Sequence, residues 1–73
     1  MTSNQLRKRS LSIAGHRTSV ALEPEFWKAL EEIAAQRQTS LSDLVAKTDE
    51  TRQANGLSSA LRLLALEHYR KSP

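Results

Sequence analysis

The stretch Thr18-Ser19-Val20-Ala21-Leu22-Glu23-Pro24 decides how the rest of the chain is read. Thr18, Val20 and Leu22 alternate with Arg17, Ser19 and Ala21, the period-2 pattern of a strand with one apolar and one wet face. Pro24 then opens a helix, because a first-turn proline lacks only an N–H that would be unpaired there anyway. Glu23 and Glu25 put negative charge at the positive end of that helix dipole. Phe26, Leu30, Ile33 and Ala34 recur at helical spacing, with Trp27 flanking them as a core residue rather than a platform for stacked bases. The helix runs out at Gln36-Arg37-Gln38-Thr39. Ser40 caps a second helix, with Asp43 three residues on in a capping-box-like arrangement. Leu41, Leu44, Val45 and Thr48 form its narrow buried stripe. Asn55-Gly56 stops it, and a third helix is expected over residues 57 to about 70.

On the other side of the strand, Leu11 and Ile13 have the opposite parity to Thr18, so the alternation breaks near Ala14-Gly15-His16. Residues 1–14 are read as a basic, mobile arm and residues 15–73 as one folded domain. The expected class is therefore mainly α with one short strand.

Composition narrows the function. In 73 residues there is no cysteine, which removes disulfides, zinc-thiolate sites and thiol nucleophiles. A chain of this size buries only about 60% of its unfolded surface, so association with a second copy is the obvious further source of burial. The longest apolar run is the four residues Leu63, Leu64, Ala65 and Leu66, too short to cross a membrane. No apolar segment of a secretory signal opens the chain, and a cytoplasmic protein is expected. Charge is uneven. Residues 1–22 carry Arg7, Lys8, Arg9 and Arg17 and no acid, residues 23–50 carry seven acids against Lys28, Arg37 and Lys47, and residues 51–73 are basic again. An acid-free basic segment beside an acidic middle gives one surface that attracts phosphate. His16 and His68 are read as a turn residue and a helix-end residue, not metal ligands. No paired catalytic carboxylates, nucleophile–base pair or glycine-rich phosphate loop is present, so no enzyme, metal or cofactor is expected.

A lone strand leaves a row of backbone groups unpaired and must find a partner. The third helix raises the same need, because its apolar positions (Leu57, Ala60, Leu61, Leu63, Leu64, Ala65, Leu66 and Tyr69) span too wide an arc for one neighbour. Both are met if two copies pair their strands antiparallel about a two-fold axis, giving a two-stranded ribbon that fits the DNA major groove.

The strand, the helix Phe26-Trp27-Lys28-Ala29-Leu30-Glu31-Glu32-Ile33-Ala34 and the string Thr39-Ser40-Leu41-Ser42-Asp43-Leu44-Val45 resemble the ribbon-helix-helix family of small bacterial DNA-binding proteins. Gly15-His16-Arg17-Thr18-Ser19-Val20 and Leu57-Ser58-Ser59-Ala60-Leu61-Arg62 look like a subgroup with a third helix. The resemblance implies an intertwined homodimer with an intermolecular two-stranded antiparallel ribbon. It assigns base-facing positions to Arg17, Ser19 and Ala21, and a phosphate to the backbone N–H groups of Ser40, Leu41 and Ser42, where helix N-termini favour anions. Arg7, Lys8 and Arg9 are expected on further phosphates. Ser40 caps its helix whether or not DNA binds. Ala21 departs from the long polar residue common in the family and offers only apolar contact, for instance to a thymine methyl. The expected dimer core is Val20, Leu22, Phe26, Leu30, Leu44, Leu61 and Leu64. The expected partners are a second copy and double-stranded DNA, in a transcriptional regulator of repressor type. The alternative is a protein-interaction module, such as an antitoxin-like dimer that binds a protein partner.

One further reading of the N-terminal segment stays open. A hairpin turn at Gly15-His16 would set Ile13 opposite Thr18 and Leu11 opposite Val20, explaining the parity switch. The mobile arm is preferred, because a wider sheet fits a groove less easily than two strands.

Overall fold

Ala14 and Gly15 both take left-handed backbone, with φ of 52° and 83°, and the chain reverses between them. Positive φ at both central residues is the geometry of a two-residue turn whose twist matches that of the strands it joins. In this computed structural model, which describes residues 5–52 and 56–71, the turn joins β1 (Arg7–Ile13) to β2 (His16–Leu22). The two strands pair antiparallel, with Ile13 opposite His16, Leu11 opposite Thr18 and Arg7 opposite Leu22.

This corrects the expectation of one strand preceded by a mobile arm. The turn is Ala14-Gly15 rather than Gly15-His16, so the register differs by two residues from the hairpin considered above. A two-residue difference keeps every side chain on its face. Leu11 and Ile13 therefore share the inner face with Thr18, Val20 and Leu22. The strand expected to pair with another copy has a partner within its own chain.

α1 (Pro24–Gln36) follows at once, its first turn closed by Phe26 and Trp27 N–H groups donating to the Glu23 carbonyl. It ends on Gln38 at φ 56°, where Gln38 N–H donates to Ala35 and Thr39 N–H to Ala34. That pair of bonds satisfies the last carbonyls, in the left-handed conformation usually given to glycine. α2 (Leu41–Thr51) starts as expected, with the Asp43 N–H donating to the Ser40 hydroxyl at 3.0 Å. α3 (Leu57–Lys71) completes the chain. Gly56 precedes it, while Asn55, expected in the same stop, lies outside the described residues.

The core joins the inner face of the hairpin to one face of each helix through Ile13, Val20, Leu22, Trp27, Leu30, Ile33, Leu44, Val45 and Leu61. Among the described residues nothing polar or charged is buried. Five of the seven residues expected in a dimer core (Val20, Leu22, Leu30, Leu44 and Leu61) are buried within one copy. Phe26 and Leu64 are half-buried against that core. The wide arc of α3 divides accordingly: Leu61 and Ala65 face in, whereas Leu63, Leu66 and Tyr69 are each more than half exposed.

Candidate nucleic-acid interface

Strand alternation sorts the hairpin into two chemistries. The outer face carries Lys8, Ser10 and Ser12 from β1, opposite Ala21, Ser19 and Arg17 from β2. It is acid-free, five of its six residues are exposed and Ala21 is half-buried. Short side chains at Ser10, Ser12, Ser19 and Ala21 leave the backbone close to the surface, and Lys8 and Arg17 sit at opposite ends. All three residues expected to face bases, Arg17, Ser19 and Ala21, thus lie together on one solvent-facing surface.

Among the described strands, β2 pairs with β1 alone. The Ala21 carbonyl points to α3, where the Ser58 hydroxyl approaches to 3.5 Å, a contact at the outer limit of a hydrogen bond. Along the second edge of β2, no described strand takes up the backbone groups.

Arg7, Lys8 and Arg9, expected as one phosphate-contacting group, are divided by the pleat. Lys8 joins the outer face. Arg9 turns inward, where its guanidinium lies 4.8 Å from the centre of the Trp27 ring and donates to Glu31 at 2.9 Å. The Arg7 carbonyl accepts from the Trp27 indole N–H at 2.7 Å, which ties the start of β1 to α1. Ser40, Leu41 and Ser42 sit at the opening of α2, where the Ser40 hydroxyl takes the Asp43 N–H and leaves those of Leu41 and Ser42 outside the helix ladder.

Arg62 of α3 clamps Glu23 at the strand–helix junction with two bonds of 3.0 and 3.1 Å, its guanidinium 5.8 Å from the centre of the Phe26 ring. These bonds hold the Glu23 carboxyl below its ordinary 4.5. Tyr69 donates to Glu32 at 2.7 Å and joins α3 to α1. The Glu32 acceptor raises the Tyr69 phenol above its ordinary 10.0. No group of three or more potential metal-ligating side chains occurs among the described residues, and no described helix is long and apolar enough to cross a membrane.

Three positions on or beside this surface escaped the sequence reading. Ser10 and Ser12 share the parity of Lys8, a signal visible once residues 7–13 are read as a strand. Lys28 lines an open pocket with Arg7, Lys8 and Glu31 between β1 and α1. Helical spacing alone gives Lys28 only a wet face.

The solved structure of an uncharacterized protein from Bordetella pertussis Tohama I is similar, with a TM-score of 0.74 and 34% sequence identity over 89% of this chain. The match spans 56% of that chain, so the present sequence corresponds to little more than half of its neighbour. No curated protein matches. The family model of the ribbon-helix-helix domain matches residues 6–69, nearly the whole folded region. That match spans both strands and most of the three helices, and the chain belongs to the ribbon-helix-helix family.

Proposed function

We propose that the chain works as a homodimeric, sequence-reading DNA-binding protein, a cytoplasmic transcriptional regulator without enzymatic activity. The observation that carries this reading is the acid-free outer face, with Arg17, Ser19 and Ala21 projecting from a strand whose second edge pairs with no described strand. Two copies joined antiparallel along β2 form a four-stranded sheet in the order β1-β2-β2-β1. The central pair presents two sets of Arg17 and Ser19 to base edges, Arg17 donating to guanine and Ala21 touching a thymine methyl. Ser40, Leu41 and Ser42 hold a backbone phosphate through the start of α2.

The test is binding of the protein to duplexes selected from a random pool, against a scrambled duplex, at two salt concentrations. The expected target is an inverted repeat. Arg17→Ala is expected to lose ~1–3 kcal/mol per contacted base pair and to relax preference at one position of each half-site. Equal loss on both duplexes reassigns Arg17 to phosphate. No binding even at low salt removes the DNA reading.

The exposed Leu63 and Leu66 of α3 favour a second role for the same dimer, docking of a protein partner in the manner of an antitoxin. Leu63→Lys with Leu66→Lys is expected to abolish partner capture while leaving DNA binding unchanged.

A further inference from the structure

Between β1 and α1 lies an open pocket of about 320 Å³ whose lining includes Arg7, Lys8, Arg9, Trp27, Lys28 and Glu31. Four cations face one carboxylate, and that carboxylate is already held by Arg9 at 2.9 Å. Among the described residues no acid pairs with Arg7, Lys8 or Lys28. Three unneutralised cations around one concavity repel one another in the free protein, and an oxyanion relieves that repulsion. Arg9, over the Trp27 ring and bonded to Glu31, occupies one wall of the pocket.

The position of the pocket identifies the oxyanion. Strands in a sheet lie ~4.8 Å apart, so in a sheet joined along β2 the two β1 strands stand ~14 Å apart. The major groove is only ~12 Å wide. The β2 pair therefore occupies the groove, and the β1 strands ride on its walls, where the phosphates are. Lys8 stands on the outer face at the lip of the pocket, with Arg7 beside it and Lys28 across from them on α1.

We propose that this seam is a phosphate-binding pocket that grips the DNA backbone at the groove wall, with Lys28 and Arg7 as its ligands and Lys8 at its lip. The proposal rests on the DNA reading above and adds α1 to the elements that contact DNA. β2 reads bases, whereas the β1–α1 seam sets how tightly any sequence is held.

The test measures binding of wild type, Lys28→Ala, Lys28→Arg and the charge-matched control Lys71→Ala to a mixed-sequence 30-base-pair duplex between 50 and 200 mM salt. Lys28→Ala removes two phosphate contacts per dimer and lowers the salt slope by about 1.8. Over that fourfold salt range, wild type is expected to lose about twelvefold more affinity than the variant. Lys28→Arg keeps the slope, and Lys71→Ala behaves as wild type. A Lys28→Ala slope equal to that of Lys71→Ala, with wild type still binding, overturns the pocket and leaves the DNA reading intact. Failure of wild type to bind at 50 mM salt overturns the DNA reading itself. A second arm titrates wild type with inorganic phosphate and follows Trp27, the one tryptophan in the chain. No saturable change at millimolar phosphate is expected. Saturation there, with DNA binding of Lys28→Ala unchanged, assigns the pocket to a free oxyanion and overturns the proposal.

Discussion

Replacing Trp27 with Phe tests what fixes β1 to the domain. The indole is 2% exposed, donates to the Arg7 carbonyl at 2.7 Å and supports the Arg9 guanidinium at 4.8 Å. The lost hydrogen bond removes ~1 kcal/mol. The smaller ring leaves space in a filled site, adding ~1 kcal/mol. The weakened guanidinium contact contributes ~0.5 kcal/mol. The sum of about 2.5 kcal/mol is a large part of the ~4–11 kcal/mol expected for a domain of this length. At ~4–8 °C per kcal/mol, the midpoint of thermal unfolding falls by ~10–20 °C. Urea titration at one fixed protein concentration measures the loss, and amide exchange shows where it falls. Amides of residues 7–13 that bond to β2 are expected to lose protection before those of α1. A loss under ~0.5 kcal/mol, with those amides as protected as in wild type, refutes the idea that the indole anchors the first strand.

Three further outcomes are expected. Ala14→Asn gains ~0.5–1 kcal/mol in thermal or urea unfolding, because Asn tolerates the left-handed φ that Ala14 adopts; a loss would mean the turn is not of this type. Glu23 has a folded-state pKa below its ordinary 4.5. The stability from its Arg62 bonds is therefore fully present above pH 4.5 and lost as pH falls through the folded value. Glu23→Gln is expected to flatten the stability profile below pH 4.5 and to do little to its shape at neutral pH. The homodimer predicts a midpoint of thermal unfolding that rises with protein concentration, and a constant midpoint together with a monomer mass in solution would remove it.

Both cues for α2, Ser40 with Asp43, are local in sequence and act through bonds three residues apart, so its start was legible. α1 was equally plain, because Pro24 and the Phe26, Leu30, Ile33 series fall within one element. β1 was legible only as the hairpin set second to a mobile arm, for two physical reasons. Its turn uses Ala14 in a left-handed conformation that alanine seldom adopts, which hid the reversal one residue before the glycine. Its anchor, the bond from Trp27 to the Arg7 carbonyl, joins residues 20 positions apart and leaves no periodic trace. The candidate interface divides in the same way. Arg17, Ser19 and Ala21 follow from alternation within β2. The separation of Lys8 from Arg9 follows from alternation in β1 once that strand is read, whereas the meeting of Lys28 with Arg7 and Lys8 in one pocket depends on how β1 lies beside α1.

The two-residue turn at Ala14-Gly15 also bears on the order in which this protein assembles. Strand partners lie between three positions apart (Ile13 and His16) and fifteen (Arg7 and Leu22). Such short-range pairing keeps contact order low, and isolated hairpins close in ~1–10 μs. A ribbon made only between two chains would wait on a bimolecular collision. Here β1 and β2 pair within one chain, a first-order event whose rate is independent of concentration. In the proposed homodimer, association is then the docking of preformed edges, and the concentration dependence of kinetics is confined to that last phase.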